Sequence, residues 1–234
     1  MLIPLLGGLA LVSVFTLRAL AVGTQALVDL RLFRVPSFSA ATGLLFLTGF
    51  ALYGAMLLVP LYFQQVRGQQ AFAAGLLIAA QGFGVLASRG VAGLLTDRIG
   101  ARWVAFTGLV IVGVATLPFA LATADTSEWL LVATLVVRGV GLGAVTIPVM
   151  ASAYIGLDRT EVPHASIITR TAQQIGGSFG TAALAVVLER ALTQHDVAGL
   201  DGRAAAFDVA FWSSIAFTAV AVLLAFWLPN RGQS

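Results

Sequence analysis

The sequence contains no cysteine and no lysine, and each absence excludes a class of chemistry. Without cysteine there is no disulfide framework, no thiolate metal site and no cysteine nucleophile. Without lysine there is no Schiff base, which excludes a retinal-binding seven-helix pigment. All 13 basic residues are therefore arginines. They are scattered along the chain, without the clustering expected of a nucleic-acid-binding surface.

Charge of either sign is scarce, and long apolar runs take its place. Charged residues make up 10% of the 234 residues, hydrophobic residues make up 59%, and the mean hydropathy is +0.97. Soluble domains are about 25% charged, and a soluble fold with this composition would expose large apolar patches. The composition predicts an integral membrane protein whose first partner is the lipid bilayer.

Seven apolar stretches are long enough to cross a bilayer as helices, which takes about 20 residues each. Lipid gives unpaired backbone groups no hydrogen-bond partner, so the predicted fold class is all-α with seven transmembrane helices. The predicted spans are residues 2–21, 38–63, 71–95, 102–123, 129–154, 164–189 and 208–228.

The arginines also predict an orientation, because arginine accumulates on cytoplasmic loops. We expect the side with more arginines to be cytoplasmic, with a plasma (inner) membrane location, the N-terminus outside and the C-terminus inside. The cytoplasmic set is Arg18, Arg31, Arg34, Arg89, Arg98, Arg102, Arg159 and Arg231, and the outer set is Arg67, Arg190 and Arg203.

Two arginines and three glutamines within the spans are candidates for a substrate cavity. An arginine at the centre of a span costs roughly 2.5–3.5 kcal/mol on insertion scales. Arg138 is roughly 13 Å into the fifth span by helical rise, so we expect it to face a polar cavity or a partner. Arg170 is nearer a helix end, where it either snorkels or lines a cavity. Gln81, Gln173 and Gln174 either complete a hydrogen-bonding wall or join helices to each other.

Small residues recur at the GxxxG spacing, in the pairs Gly139/Gly143 and Gly176/Gly180. This spacing favours close packing of two helices in lipid. Residues 176–180, GGSFG, also match the G-x-S-x-G pattern of serine hydrolases, which requires a strand-to-helix turn with histidine and acid nearby. No histidine lies at this depth, so we predict helix packing, no catalytic residue and no enzyme activity.

The ten acidic residues fall in loops or at the ends of the predicted spans. The sequence therefore shows no buried carboxylate to carry a proton, which is the usual carrier in a membrane transporter. We also predict no metal site and no cofactor.

Four stretches together resemble one family. GLLTDRIGAR (93–102) resembles the inter-helix signature of the major facilitator superfamily, G-x-L-x-D-R/K-x-G-x-R/K. Every position is filled, by Gly93, Leu95, Asp97, Arg98, Gly100 and Arg102. VDLRLFR (28–34), RGVGLG with a later proline (138–148) and QQIGGSFGTA (173–182) resemble the 14-span drug:proton antiporter branch of EmrB/QacA type.

The resemblance covers the C-terminal half of that family and implies a multidrug efflux transporter of the proton-antiport type. It implies a linker transmembrane helix and cytoplasmic connection in residues 1–36, then a C-terminal six-helix bundle in residues 37–234, with the N-terminal bundle absent. Family members surround a central pathway with two bundles. The implied partners are therefore a small, amphipathic substrate and either the missing N-terminal bundle or a homologous chain.

The resemblance also assigns roles to individual residues. The signature residues Gly93, Asp97, Arg98, Gly100 and Arg102 are implied to form a latch that engages the opposite bundle in one transport state. Family members are expected to carry asparagine near position 170 and often arginine at 173, where this chain has arginine and glutamine. That departure leaves the preferred charge of the substrate open.

Other classes of function stay open at this point. The chain is also compatible with a truncated membrane fragment that does not transport, or with a partner subunit of a split transporter. A seven-helix receptor fits the predicted orientation alone, and the family signatures argue against it.

Overall fold

The computed structural model describes residues 29–123, 125–194 and 199–228, and this part of the chain is helical and without strands. Within these ranges, six helices are long and apolar enough to cross a membrane. They are α1 (Pro36–Gln65), α2 (Ala71–Ile99), α3 (Ala101–Ala120), α4 (Glu128–Ala153), α5 (Val162–Gln194) and α6 (Leu200–Ala225). A 3-10 helix, Leu30–Arg34, precedes α1. The all-α membrane fold is confirmed, while the predicted span 2–21 lies outside the described residues.

The helices form one bundle in which α1 is central. It packs against α2, α4, α5 and α6, and its most extensive partner is α5. The second extensive pairing is between α2 and α4, and α3 packs on α4 and α6. Because α2 and α5 both contact α1 but hardly contact each other, they flank it on opposite sides. We name the exposed side of this trio, which on α1 includes Leu52, Tyr53 and Met56, the front face.

Glycines let the paired helices approach to backbone contact. A Cβ added to Gly139 of α4 would collide with the backbone carbonyl of Gln81 on α2. A Cβ added to Gly84 of α2 would likewise collide with the backbone carbonyl of Val136 on α4. On α5, Gly176 and Gly180 meet the backbone of α1 in the same way. The GxxxG pairs therefore mark the two tightest helix crossings, which is the packing role predicted for them.

Two apolar clusters hold the opposite ends of the bundle together. One surrounds Tyr62, whose ring packs edge-on against Phe119 and Phe207 at centroid distances of 6.1 and 5.8 Å. The other includes Leu32 and Phe38, where the 3-10 helix meets α1. We refer to these as the Tyr62 end and the Gly100 end, since the link between α2 and α3 lies at the second.

The charged signature is far more helical than the predicted loop. Asp97 and Arg98 lie in the last turn of α2, Arg102 lies in the first turn of α3, and Gly100 alone links the two helices. Gly100 has a φ of 92°, a conformation that favours glycine because it has no Cβ. The link is shorter than predicted because this one glycine reverses the chain.

The last helix begins earlier than the prediction of residue 208. It starts at Leu200, so Asp208 lies inside α6 and not at its end. The side chain is half-buried, and its Oδ1 is buried without a hydrogen-bond partner in the described ranges. The prediction that all acids lie in loops or at helix ends is wrong here, because DGRAAAFD (201–208) continues the helix.

Candidate functional site

Arg138 is buried at the centre of the bundle and joins four helices. Its side chain is 1% exposed. From α4, its Nε donates to Thr116 Oγ1 on α3 at 3.2 Å, its Nη1 to Gln81 Oε1 on α2 at 2.8 Å, and its Nη2 to the Ala51 carbonyl on α1 at 3.0 Å. The partner expected from its depth therefore consists of three neutral acceptors.

The positive charge of Arg138 has no acidic partner within the described ranges. Its three contacts are a hydroxyl, an amide and a backbone carbonyl. No aspartate or glutamate occurs in residues 36–96 or 129–153, which include all of α1, most of α2 and nearly all of α4. A cation in a low-dielectric interior interacts strongly with nearby charge, so this region of the bundle carries a positive potential.

A groove between α1 and α2 opens in front of Gln81. It has a volume of about 630 Å³. Leu52 and Met56 line it from α1, and Gln81, Phe83 and Arg89 are among the residues that line it from α2. Gln81 therefore has two neighbours, with Arg138 behind it in the bundle and the groove in front.

A second groove, of about 540 Å³, lies between α1 and α5. Its polar residues are Tyr53 on α1 with Gln174, Ser178 and Thr181 on α5. Positions 174, 178 and 181 share one side of a helix, since residues three and four apart are neighbours. Leu52 and Met56 in the first groove and Tyr53 in the second belong to the same exposed side of α1, so both grooves open on the front face.

The sequence candidates on α5 are separated by the structure. Gln174 lines the second groove, and Arg170 is exposed one helical turn nearer the Gly100 end. Gln173 is half-buried, and its backbone carbonyl stands where a Cβ on Gly49 of α1 would lie. The structure thus brings Arg138 and Gln81 into one cluster and places Arg170 and Gln174 on another part of the front face.

The signature residues at the Gly100 end divide into two groups. Arg102 Nε donates to the Leu228 carbonyl at 2.7 Å, which ties the start of α3 to the chain after α6. Asp97 is exposed and makes no hydrogen bond or ion pair among the described residues. Arg98 is exposed as well. Asp97 and Arg102 therefore do not pair with each other in this structure.

Sequence reasoning did not find Thr116 or the Ala51 carbonyl as partners of Arg138. Threonines within apolar helices usually bond the preceding turn, as Thr116 Oγ1 also does to the Val112 carbonyl at 2.7 Å. The Ala51 carbonyl carries no signal in the side-chain sequence at all. Tyr53 lies in the groove with Gln174, and nothing in its sequence context distinguishes this position from one that faces lipid.

The fold and the grooves define a multi-pass helical membrane protein with two open clefts on one face. The family model of the Major Facilitator Superfamily matches residues 2–181 and 41–234. The chain therefore belongs to the Major Facilitator Superfamily, a family of membrane transporters that act on small molecules.

Several curated relatives carry resistance names. The chain is 31% identical to the "Multidrug resistance protein B homolog" of Mycobacterium tuberculosis (strain ATCC 25618 / H37Rv), over 80% of this chain and 35% of that protein. It is 28% identical to the "Lincomycin resistance protein LmrB" of Bacillus subtilis (strain 168), over 83% of this chain and 40% of that protein. It is 32% identical to the "Tetracycline resistance determinant" of Streptomyces rimosus, over 77% of this chain and 52% of that protein. The chain thus spans about a third to a half of these relatives.

Proposed function

We propose that this chain supplies the C-terminal six-helix bundle, with a preceding linker span, of an efflux transporter for small amphipathic molecules. The observation that carries the proposal is the front face, where two grooves flank α1 and bring polar side chains into an otherwise apolar wall. Family membership and the resistance names of relatives support efflux as the direction of transport. The substrate path would run along the front face, between this bundle and a second one.

The candidate residues take distinct roles in this proposal. Gln174 and Arg170 on α5 and Gln81 on α2 would meet the substrate, since they lie in or beside the grooves. Arg138 would act from behind, by fixing the orientation of the Gln81 amide at 2.8 Å. Gln173 would support the α1–α5 crossing and border the path.

Asp97 and Arg98 would form the exposed part of a latch at the Gly100 end, which we place at the cytoplasmic side of the plasma membrane. Asp97 has no partner among the described residues and is therefore available to a second bundle. Arg102 would keep its place beneath α6 through the Leu228 carbonyl. Proton antiport would supply the energy, as the resemblance to the drug:proton branch implies.

The alternative is a chain that acts as one subunit of a split transporter, or a membrane fragment without transport. The share of the relatives that the chain covers, 35% to 52% in the three cases above, is the observation behind it. The split-transporter version uses the same front face, because a second bundle has to cover it for transport, whereas the fragment version assigns that face no role.

Co-expression tests the proposal. The chain is produced in cells with an N-terminal half that matches it, and efflux of a fluorescent dye is compared with efflux from cells that make either half alone. Energy-dependent efflux that requires both halves and collapses with a protonophore is the expected result. Efflux no greater than that of either half would refute the transporter role.

A further inference from the structure

The groove between α1 and α2 has an unusual set of polar groups. Gln81 and Arg89 are the two polar side chains among its lining residues, and the others are apolar residues and glycine. The lining otherwise resembles a typical small-molecule site, which is mostly apolar with a few polar groups that fix orientation. The chemistry of those two side chains therefore decides what the groove binds.

Both polar side chains face a ligand as hydrogen-bond donors. The Gln81 Oε1 accepts from Arg138 Nη1 at 2.8 Å, so the acceptor of this amide is occupied on the side away from the groove. Its Nε2 makes no hydrogen bond within the described ranges, and it is the polar atom that Gln81 offers to the groove. Arg89 is exposed, has only donors, and makes no hydrogen bond or ion pair among the residues that the structure describes.

The electrostatics favour the same ligand. Arg138 lies behind Gln81 with its charge unpaired by any described acid, and Arg89 adds a second positive charge at the groove itself. The nearest acid on α2 is Asp97, eight residues and about 12 Å of helical rise beyond Arg89, and residues 36–65 and 129–153 contain no acid. The charge of Arg138 is buried, and water screens a buried charge poorly, so the groove attracts an anion and repels a cation.

From these contacts we infer that the α1–α2 groove binds an amphipathic organic anion. The apolar body of the ligand packs against Leu52, Met56 and Phe83, and its carboxylate or sulfonate pairs with Arg89. Gln81 lies eight residues before Arg89 on α2, which is about 12 Å along the helix axis. Its Nε2 donates to a second acceptor of the ligand. The inference names the substrate class of one groove. Its relevance to transport rests on the proposed function.

Two dyes that differ in one group test the inference. 1-Anilinonaphthalene-8-sulfonate carries a sulfonate, and N-phenyl-1-naphthylamine has the same rings without it. Binding of each is measured by fluorescence titration of the whole chain in phosphatidylcholine nanodiscs, with empty nanodiscs subtracted. We expect the sulfonate dye to bind about tenfold tighter, as one charge-assisted hydrogen bond provides.

Variants separate Arg89 from general surface charge. Arg89→Gln is expected to remove that tenfold preference and leave binding of the neutral dye unchanged, whereas Arg89→Lys retains most of it. Arg190→Gln is the matched control, because Arg190 is exposed on α5 and lies outside both grooves. Equal binding of the two dyes, or a preference that survives Arg89→Gln, would overturn the inference.

Nanodiscs with added phosphatidylglycerol distinguish a bound solute from a bound lipid, because basic clefts between membrane helices also hold anionic headgroups. Persistence of the sulfonate preference there supports the solute. Its abolition by a few per cent of the anionic lipid would assign the groove to lipid and overturn our proposal. Dye efflux by the two co-expressed halves is a separate readout, so efflux of neutral dyes without anion preference would refute this inference and leave the transporter role intact.

Discussion

Removing Gln81 should destabilise the protein more than removing the buried charge that it contacts. In Gln81→Leu, the Arg138 Nη1 loses its 2.8 Å acceptor and remains enclosed, since the arginine is 1% exposed. A hydrogen bond to a charged group contributes about 1.5–3 kcal/mol. We therefore expect Gln81→Leu to lower the free energy of unfolding by about 2–3 kcal/mol.

Arg138→Met should cost less, about 1 kcal/mol or below, because apolar replacement of buried charged groups is often neutral or stabilising. The acceptors left behind have other options. Thr116 Oγ1 still donates to the Val112 carbonyl at 2.7 Å, and the Ala51 carbonyl is still a backbone acceptor within α1. The Gln81 amide can turn towards the groove. The double variant should then resemble Arg138→Met alone, with strong coupling between the two sites.

The assay is unfolding by sodium dodecyl sulfate in dodecylmaltoside micelles, followed by far-ultraviolet circular dichroism. Gln174→Leu is the matched control, since this glutamine is exposed in the second groove. A Gln81→Leu variant as stable as Arg138→Met, or additive effects in the double variant, would refute the reasoning that Gln81 satisfies a buried, unpaired charge.

Three further outcomes are expected from the helix contacts, each measured by the same unfolding assay. Gly84→Ala should lower the free energy of unfolding by about 1–3 kcal/mol, because its Cβ would overlap the backbone of α4. Gly82→Ala is the control: a Cβ there would have nothing within 4 Å, so the substitution should be neutral or slightly stabilising. Equal effects of the two substitutions would contradict the close packing of α2 on α4. Gly100→Ala should cost about 1–3 kcal/mol, because its φ of 92° and ψ of 155° lie in a region that is essentially confined to glycine. A neutral effect would show that the link adopts another conformation. Arg102→Gln should cost about 1 kcal/mol through loss of the 2.7 Å bond to the Leu228 carbonyl, and an unchanged midpoint would show that this bond contributes nothing.

The membrane fold could be predicted from the sequence because the length and the apolar composition of each span indicate a transmembrane helix. The helix crossings were also predictable, since Gly139 and Gly176 belong to GxxxG pairs that lipid-embedded helices use for close approach. The depth of Arg138 within its span predicted a polar cavity or a partner, and the structure shows three hydrogen-bond partners. Its role in a substrate cavity stays a prediction. In each case, the informative property is local in sequence.

The partners of Arg138 and the grooves could not be predicted, because they depend on how non-adjacent helices meet. Gln81 and Arg138 are 57 residues apart, and the Ala51 carbonyl has no side-chain signature. The end of α2 and the start of α6 were misplaced for a different reason. Polar residues such as Asp97 and Asp208 continue a helix where hydropathy predicts its end.

Water access to the front face is the most direct test of the account. The chain has no cysteine, so a single introduced thiol reports without background. Position 178 lies in the second groove, whereas position 220 lies on the exposed side of α6, which we expect to face lipid. N-ethylmaleimide requires a hydrated thiolate, so in native membranes containing both halves we predict that Ser178→Cys reacts about tenfold faster or more. Equal rates, or faster labelling of Val220→Cys, would contradict the claim that the front face lines the transport path.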